Sequence, residues 1–97
     1  MKELPKCPIE TTLILLSSRW KILIIRDLLS GGKRFCELKR ALGTITQKVL
    51  TANLREMEEN GLLKRKVLSP IKVQYSLTDI GYSLATILDE MADWGSA

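Results

Sequence analysis

Hydrophobic residues recur at helical spacing over most of the chain. Between residues 20 and 29, apolar positions three and four apart are separated by charged ones, as in an amphipathic helix. The same spacing recurs in several segments, and the proline, serine and glycine residues between these segments divide the chain into successive helices. The pattern predicts helices over residues 8–16, 20–29, 35–42 and 46–60, and a last helix that begins near Thr78.

The fourth predicted helix follows a brief turn at Gly43. Thr46 is suited to cap it, because a threonine hydroxyl can accept a free backbone N–H of the first turn. Thr44, with Gln47 three residues on, is a rival cap. The buried stripe of this helix is predicted to contain Leu50, Leu54 and Met57.

Two short β-prone segments separate this helix from the last one. Residues 73–77 alternate apolar and polar side chains, the pattern of a strand with one buried face, and residues 63–67 are also β-prone. Ser69 and Pro70 predict a turn between them, so that residues 63–77 form a hairpin. The predicted fold is therefore mainly α with a small β-hairpin, in the order α-α-α-α-β-β-α, within a single domain over residues 1–97.

Composition narrows the function classes. The chain has 97 residues, 45% hydrophobic and 27% charged, as expected of one soluble domain. No apolar run approaches the roughly 20 residues that span a membrane, and a cytoplasmic location is expected. There is no histidine, and two cysteines 29 positions apart do not make a zinc pair. We predict no enzyme activity, no metal site and no cofactor.

The charge is distributed unevenly. All 15 lysines and arginines lie in residues 1–72, which also hold 7 acids and so carry +8. Residues 73–97 hold the other 4 acids and carry −4, which gives the net +4. This asymmetry favours a polyanionic partner for the first part of the chain over a general solubilising role.

The helices at 35–42 and 46–60 are joined by a short turn containing glycine, which predicts a helix-turn-helix unit. In that unit the second helix lies in the major groove of DNA. The side chains on its polar side suit this task, since glutamine can pair with adenine, arginine or lysine with guanine, and threonine can contact a thymine methyl group. The candidates are Thr46, Gln47, Lys48, Thr51 and Arg55. Any one of them alone would be ordinary helix surface.

A hairpin directly after a recognition helix is a wing, and we predict that it contacts the DNA backbone or minor groove. Its candidate residues are Lys64, Arg65, Lys66 and Lys72, although lysines also protect exposed edge strands. Arg34 and Lys39 flank the first helix of the unit, where backbone contact and a solubilising role are both open.

Several segments together resemble the HxlR-type branch of the MarR-like winged-helix regulators. The resemblance is carried by Cys7-Pro8, residues 19–24, 33–38, 45–51 and 54–62, and Tyr75-Ser76-Leu77-Thr78-Asp79-Ile80-Gly81. It implies a prokaryotic homodimer that binds a pseudo-palindromic double-stranded operator and regulates transcription. It also implies that the first and last helices make the dimer and that an N-terminal cysteine, as in some members, senses oxidants. Cys36 departs from the family pattern, and no role is carried over to it.

The apolar stripe of the last helix exceeds what the hairpin could cover. This surplus predicts a dimer interface, shared between the first and last helices, unless both helices only complete the core of the monomer. The candidates are Leu13, Leu16, Ile80, Leu84, Ile87, Leu88, Met91 and Trp94.

Two further hypotheses remain. Cys7 is a candidate redox sensor because Lys6 precedes it and a helix begins close after it, and both favour a reactive thiolate. The alternative is that Cys7 is a small packed hydrophobe, which is the usual role of a free cysteine. The alternative function is a winged-helix module that binds a protein instead of DNA.

Overall fold

The computed structural model describes residues 8–96, which form six helices and a three-stranded antiparallel sheet. No helix in this range is long and apolar enough to cross a membrane. The elements are α1 (Pro8–Leu15), α2 (Arg19–Leu28), β1 (Lys33–Arg34), α3 (Phe35–Leu42), α4 (Gln47–Glu59), β2 (Leu63–Ser69), β3 (Lys72–Leu77), α5 (Asp79–Ser83) and α6 (Ala85–Ser96).

The predicted fold class, mainly helical with a small β-hairpin, is confirmed. The core lies between α2, α3, α4 and the base of the hairpin, and the stripe predicted for α4 is fully inside it. The buried hydrophobic residues are Ile24, Ile25, Leu28, Leu38, Leu42, Ile45, Leu50, Leu54, Met57, Leu62, Leu63, Leu77 and Leu84.

Strand β1 was not predicted. It has only two residues, Lys33 and Arg34, too few to show an alternating pattern. They pair with Tyr75 and Gln74 of β3, so that β3 lies in the middle of the sheet between β1 and β2. The hairpin spans residues 63–77 as predicted, but its strands are longer than predicted and its turn lies at Pro70 and Ile71.

Thr46 is the N-cap of α4, which resolves the choice between it and Thr44. The Thr46 side-chain oxygen accepts a hydrogen bond from the backbone N–H of Val49, at 3.2 Å. Ile45 before the cap and Leu50 in the first turn are both buried, as in a hydrophobic staple. The sequence pattern left Thr44 and Thr46 open as caps, and the structure places the cap at Thr46.

The last helix, predicted as one, divides at Leu84. Its first part, α5, is held against the segment that follows α4. The Thr78 hydroxyl donates a hydrogen bond to the Gly61 carbonyl at 2.5 Å, and the Thr78 backbone N–H donates one to the Leu62 carbonyl at 3.0 Å. A Cβ atom on Gly81 would collide with the Leu62 carbonyl oxygen, so only glycine permits this approach. The Leu84 N–H then donates to the Gly81 carbonyl, three residues back, in a tight turn before α6.

Candidate nucleic-acid interface

Helix α4 is sharply divided between a buried and an exposed side. Its buried residues are Leu50, Asn53, Leu54 and Met57. Gln47, Lys48 and Arg55 are exposed and Thr51 is partly exposed, so four of the five candidates predicted for this helix lie on its exposed side. They border one shallow groove together with Ala52. The small Ala52 leaves the longer polar side chains standing above the helix surface.

Gln47 lies where three shallow grooves meet. One runs along α4, one lies between α4 and the start of α3, and one lies between α4 and the hairpin. The third is bordered by Arg34, Thr51, Val73 and Tyr75 as well. The recognition side of α4 is thus continuous with both α3 and the sheet, and Gln47 is at its centre.

The hairpin cations are exposed but do not share one face. Side chains alternate along a strand, and Leu63 at the start of β2 is buried, so Arg65 lies on the core side of the sheet and Lys64 and Lys66 on the other. The Arg65 Nε atom lies 3.9 Å from Glu58 Oε2, near the last turn of α4. Arg65 therefore offsets an acid at the far end of the recognition helix. Lys72 is exposed at the start of β3.

Helix α3 and the residue before it add further cations beside Gln47. Lys39 is exposed and borders the groove between α3 and α4. Arg34 is exposed, and its backbone N–H donates to Glu37 Oε1 at 3.0 Å. This hydrogen bond, followed by attraction from the Arg34 and Lys33 charges, holds the pKa of Glu37 below its usual value of 4.5. Glu37 consequently stays ionised and orders the start of α3.

Two polar residues that hold α4 in place were not singled out from the sequence. Lys21 of α2 is only 2% exposed, and its ammonium contacts Glu56 Oε1 at 2.8 Å and Ser17 Oγ at 3.1 Å. Asn53 of α4 is also buried and accepts a hydrogen bond from the Ser18 hydroxyl. Helical spacing would place Lys21 among the charged positions, so periodicity alone does not reveal its burial.

The predicted dimer residues divide between the core and the surface. Leu84 belongs to the core, and Leu16 and Leu88 pack partly against it. The other five expose at least a third of their surface, and their exposed fractions are Leu13 63%, Ile80 61%, Ile87 39%, Met91 52% and Trp94 84%. Cys7, the candidate sensor, lies outside the described residues, and Cys36 is an exposed free thiol on α3.

This arrangement, a helix-turn-helix unit followed by a hairpin, defines a winged helix-turn-helix protein. The HxlR-like helix-turn-helix family model matches residues 15–97. The chain is 43% identical over 91 residues to the HTH-type transcriptional regulator YdeP of Bacillus subtilis (strain 168), covering 92% of this chain and 71% of YdeP. The chain belongs to the HxlR-like family, which confirms the resemblance seen in the sequence. The family and these relatives are transcriptional regulators, not enzymes.

Solved structures agree with this assignment. The redox regulator HypR in its reduced form has a TM-score of 0.87 and 39% identity, and covers 93% of this chain and 91% of HypR. The quinone-bound YodB from B. subtilis has a TM-score of 0.84 and 40% identity, and covers 93% of this chain and 97% of YodB. At these identities the likeness extends from the fold to the family.

Proposed function

We propose that this protein is a homodimeric regulator that binds a pseudo-palindromic DNA operator, with α4 in the major groove and the hairpin on the sugar–phosphate backbone or minor groove. The observation that carries the proposal is the exposed side of α4, where Gln47, Lys48, Thr51 and Arg55 stand together, continuous with basic surface on α3. A helix of this size fits the major groove, whose base edges present distinct patterns of hydrogen-bond donors and acceptors.

Within this proposal the recognition residues have different tasks. Gln47 and Thr51 border both the groove along α4 and the groove beside the hairpin, so they are suited to the centre of the contact. Lys48 and Arg55 are exposed and long enough to reach base edges. Thr46 remains the N-cap of α4 and so holds its first turn in place against the duplex.

The other cations are proposed to contact phosphates. Lys39 and Arg34 lie on the α3 side of the recognition helix, and Lys72 and Lys66 are exposed on the hairpin. Such contacts position a protein on the duplex without reading its sequence. Lys64 shares the sheet face of Lys66, and Arg65 is directed towards Glu58, so we expect the smallest contribution from Arg65.

The homodimer is proposed to form through the exposed apolar residues of α1, α5 and α6. Leu13, Ile80, Met91 and Trp94 each expose more than half of their surface, and large exposed apolar patches on small domains commonly mark interfaces. Two-fold symmetry would then set the two α4 helices about 34 Å apart, one turn of DNA. The proposal places the protein with its DNA, in the cytoplasm of a prokaryote.

The proposal is tested by selecting bound duplexes from a random pool and then measuring affinity for the selected site against salt. A DNA-binding dimer should select a palindrome and lose affinity with a log–log slope of roughly −0.9 per neutralised phosphate. Recovery of no preferred sequence, with only weak and salt-independent binding, would instead favour a protein-binding module.

Two substitutions separate the proposed roles. Arg55→Ala should cost roughly 1–3 kcal/mol on the selected site and relax preference at one base position. Lys66→Ala should weaken all duplexes alike and reduce the salt slope by about one unit. Arg26→Ala removes an exposed cation from α2, outside the proposed contact, and is the matched control for charge. Unchanged sequence preference in Arg55→Ala would contradict its base-reading role.

A second function, thiol-dependent control of DNA binding through Cys7, is proposed because HypR has been solved in oxidised and reduced forms and YodB with a bound quinone. Diamide should change operator affinity in the wild type and in Cys36→Ser, but not in Cys7→Ser. The Cys36→Ser variant is necessary because Cys36 borders two grooves beside Gln47, where a modified thiol could block DNA directly. An equal response of Cys7→Ser and the wild type would reject the role of Cys7.

A further inference from the structure

A cluster of part-buried polar contacts, in which Lys21 and Asn53 are the buried members, joins the beginning of α2 to one side of α4. We define this polar clamp as Ser17, Ser18, Lys21, Asn53 and Glu56. The Lys21 ammonium donates to Glu56 Oε1 at 2.8 Å and to Ser17 Oγ at 3.1 Å, and the Ser18 hydroxyl donates to Asn53 Oδ1 at 3.1 Å. Asn53 Nδ2 in turn donates to the Val49 carbonyl at 2.8 Å, within α4. The clamp therefore holds α4 at two points, three residues apart.

The position of the clamp around α4 is informative. At 100° per residue, Asn53 and Glu56 lie about 60° apart, on the flank of the apolar stripe opposite to Gln47 and Thr51. The apolar stripe, with Leu50 and Met57, is held by packing that has no preferred direction. The hydrogen bonds of the clamp are directional, because they weaken steeply as donor and acceptor lose alignment. They accordingly restrain rotation of α4 about its own axis.

Burial of Lys21 raises the energetic cost of separating its ammonium from Glu56. The Lys21 side chain is 3% exposed and that of Glu56 is 39% exposed, so the ammonium is held away from water while its acid partner reaches the surface. A buried ammonium is costly unless its partners are well placed, and this cost penalises any rotation of α4 that would separate the two groups. Lys21 cannot itself contact DNA at this depth.

We propose that Lys21 is a positioning residue for DNA recognition: the clamp sets the rotation of α4 and thereby aims Gln47, Thr51 and Arg55 at the base edges. This inference rests on the proposed DNA-binding function and assigns a role in it to a residue outside the contact surface. A turn of a few degrees about the α4 axis displaces the long recognition side chains most, because they stand farthest from it. Sequence discrimination should consequently suffer before general affinity for duplex DNA.

The test compares the selected operator with an unrelated duplex at one salt concentration. Lys21→Met keeps the length of the side chain and leaves no buried charge, because the Glu56 side chain is 39% exposed. We expect it to reduce operator affinity about tenfold, which is within the discrimination that one bidentate base contact supplies. Affinity for the unrelated duplex should change less than about twofold. The salt slope should be unchanged, because no phosphate contact is removed.

Two variants complete the design. Arg26→Met removes a 60% exposed cation from the same helix, matches the change in net charge, and should alter neither affinity. Asn53→Leu removes the second link with little change in volume and should also lower discrimination, which covers the case that Lys21→Met does not fold. All variants are assayed well below their own unfolding temperatures, so that a purely structural role would leave sequence preference intact.

The outcomes distinguish this inference from the function on which it depends. If the wild type discriminates between the duplexes and folded Lys21→Met and Asn53→Leu discriminate equally well, the positioning role is overturned and the DNA-binding function stands. A fall in affinity for both duplexes by the same factor would also overturn it. If the wild type itself binds both duplexes equally, the proposed function fails, and this inference with it.

Discussion

Helices α4 and α6 have nearly the same length, 13 and 12 residues, but opposite relations to the rest of the subunit. Helix α4 buries four residues and exposes polar ones. Helix α6 buries none of its residues, and Met91 and Trp94 are more than half exposed. The apolar side of α4, the helix proposed to contact DNA, is thus buried within its own subunit. On α6, Met91 and Trp94 are left mostly uncovered by residues 8–96.

The difference between α4 and α6 separates what a single subunit determines from what a dimer would determine. The setting of α4 is determined by core packing, a threonine cap and the polar clamp, all within one chain. In the proposed dimer, the distance between two copies of α4 depends instead on how α1 and α6 meet a partner. Recognition of one half-site should therefore be a property of the subunit, and recognition of the palindrome a property of the dimer.

The largest expected effect comes from charging the apolar side of α6. Trp94 is 84% exposed, so Trp94→Asp should disturb the monomer little but prevent burial of this residue in a dimer. Losing simultaneous engagement of two half-sites should lower operator affinity by about 10²–10⁴-fold. Light scattering and fluorescence anisotropy measure the two effects.

The control for this substitution is Leu68→Asp, which charges an exposed apolar residue of the hairpin and should leave the oligomeric state unchanged. A Trp94→Asp variant that remains dimeric and binds the palindrome normally would contradict the assignment of α6 to the interface.

The same substitution made in both helices compares them directly. Met57 of α4 is fully buried, so Met57→Ala should lower the free energy of unfolding by about 2–5 kcal/mol at any protein concentration. Met91→Ala should cost little in dilute monomer and more as the concentration rises, because Met91 would be buried only in the proposed dimer. Urea unfolding at two protein concentrations measures both. A concentration-independent loss in Met91→Ala would place Met91 in the monomer core.

Substitution of two glycines compares the close contact between α5 and Leu62 with the open end of α6. Gly81→Ala places a Cβ atom against the Leu62 carbonyl and should cost about 1–3 kcal/mol through forced displacement of α5. A Cβ atom on Gly95 would have no neighbour within 4 Å among residues 8–96, and Gly95→Ala should be neutral or slightly stabilising, since alanine favours helix. Thermal unfolding is the measurement, and equal effects at both sites would refute close packing at Gly81.

The smallest effect concerns the local ordering of α3. The folded-state pKa of Glu37 lies below 4.5, so its hydrogen bond to the Arg34 N–H stabilises the protein above that pH and is lost as the pH falls through the lowered pKa. Wild type should accordingly be slightly more stable than Glu37→Gln at pH 7 and equal to it in strong acid. A difference in unfolding temperature that does not change with pH would argue against this ionised cap.

The helices and their caps could be predicted well because their determinants are local. Thr46 with the Leu50 stripe marked the beginning and the buried side of α4, and the alternation before Leu77 marked β3. Strand β1 could not be predicted, since two residues become a strand only when Tyr75 and Gln74 pair with them. The division at Leu84 was missed for a similar reason, because it follows from the close approach of Gly81 to Leu62.

The exposure of the candidate residues on α4 was predictable from the sequence, and the arrangement of their surroundings was less so. The exposed side of α4 followed from periodicity, and Gln47, Lys48 and Arg55 are exposed as that reasoning requires. Along the sequence, Lys64 to Lys66 form one basic stretch, whereas the pleat divides them between two faces and Arg65 approaches Glu58. The central position of Gln47 among three grooves depends on α3 and β3, which are distant along the chain.

By itself, the sequence determined the winged helix-turn-helix order and the polar side of α4, because turn signals and hydrophobic spacing act over a few residues. Its motifs, taken together, carried the resemblance to the family. Only the tertiary structure decided that Lys21 is buried against Glu56, that β1 exists, and that Leu84 packs in the core while Trp94 stays exposed. Burial of a side chain depends on which distant segments cover it, and local spacing carries no information about that.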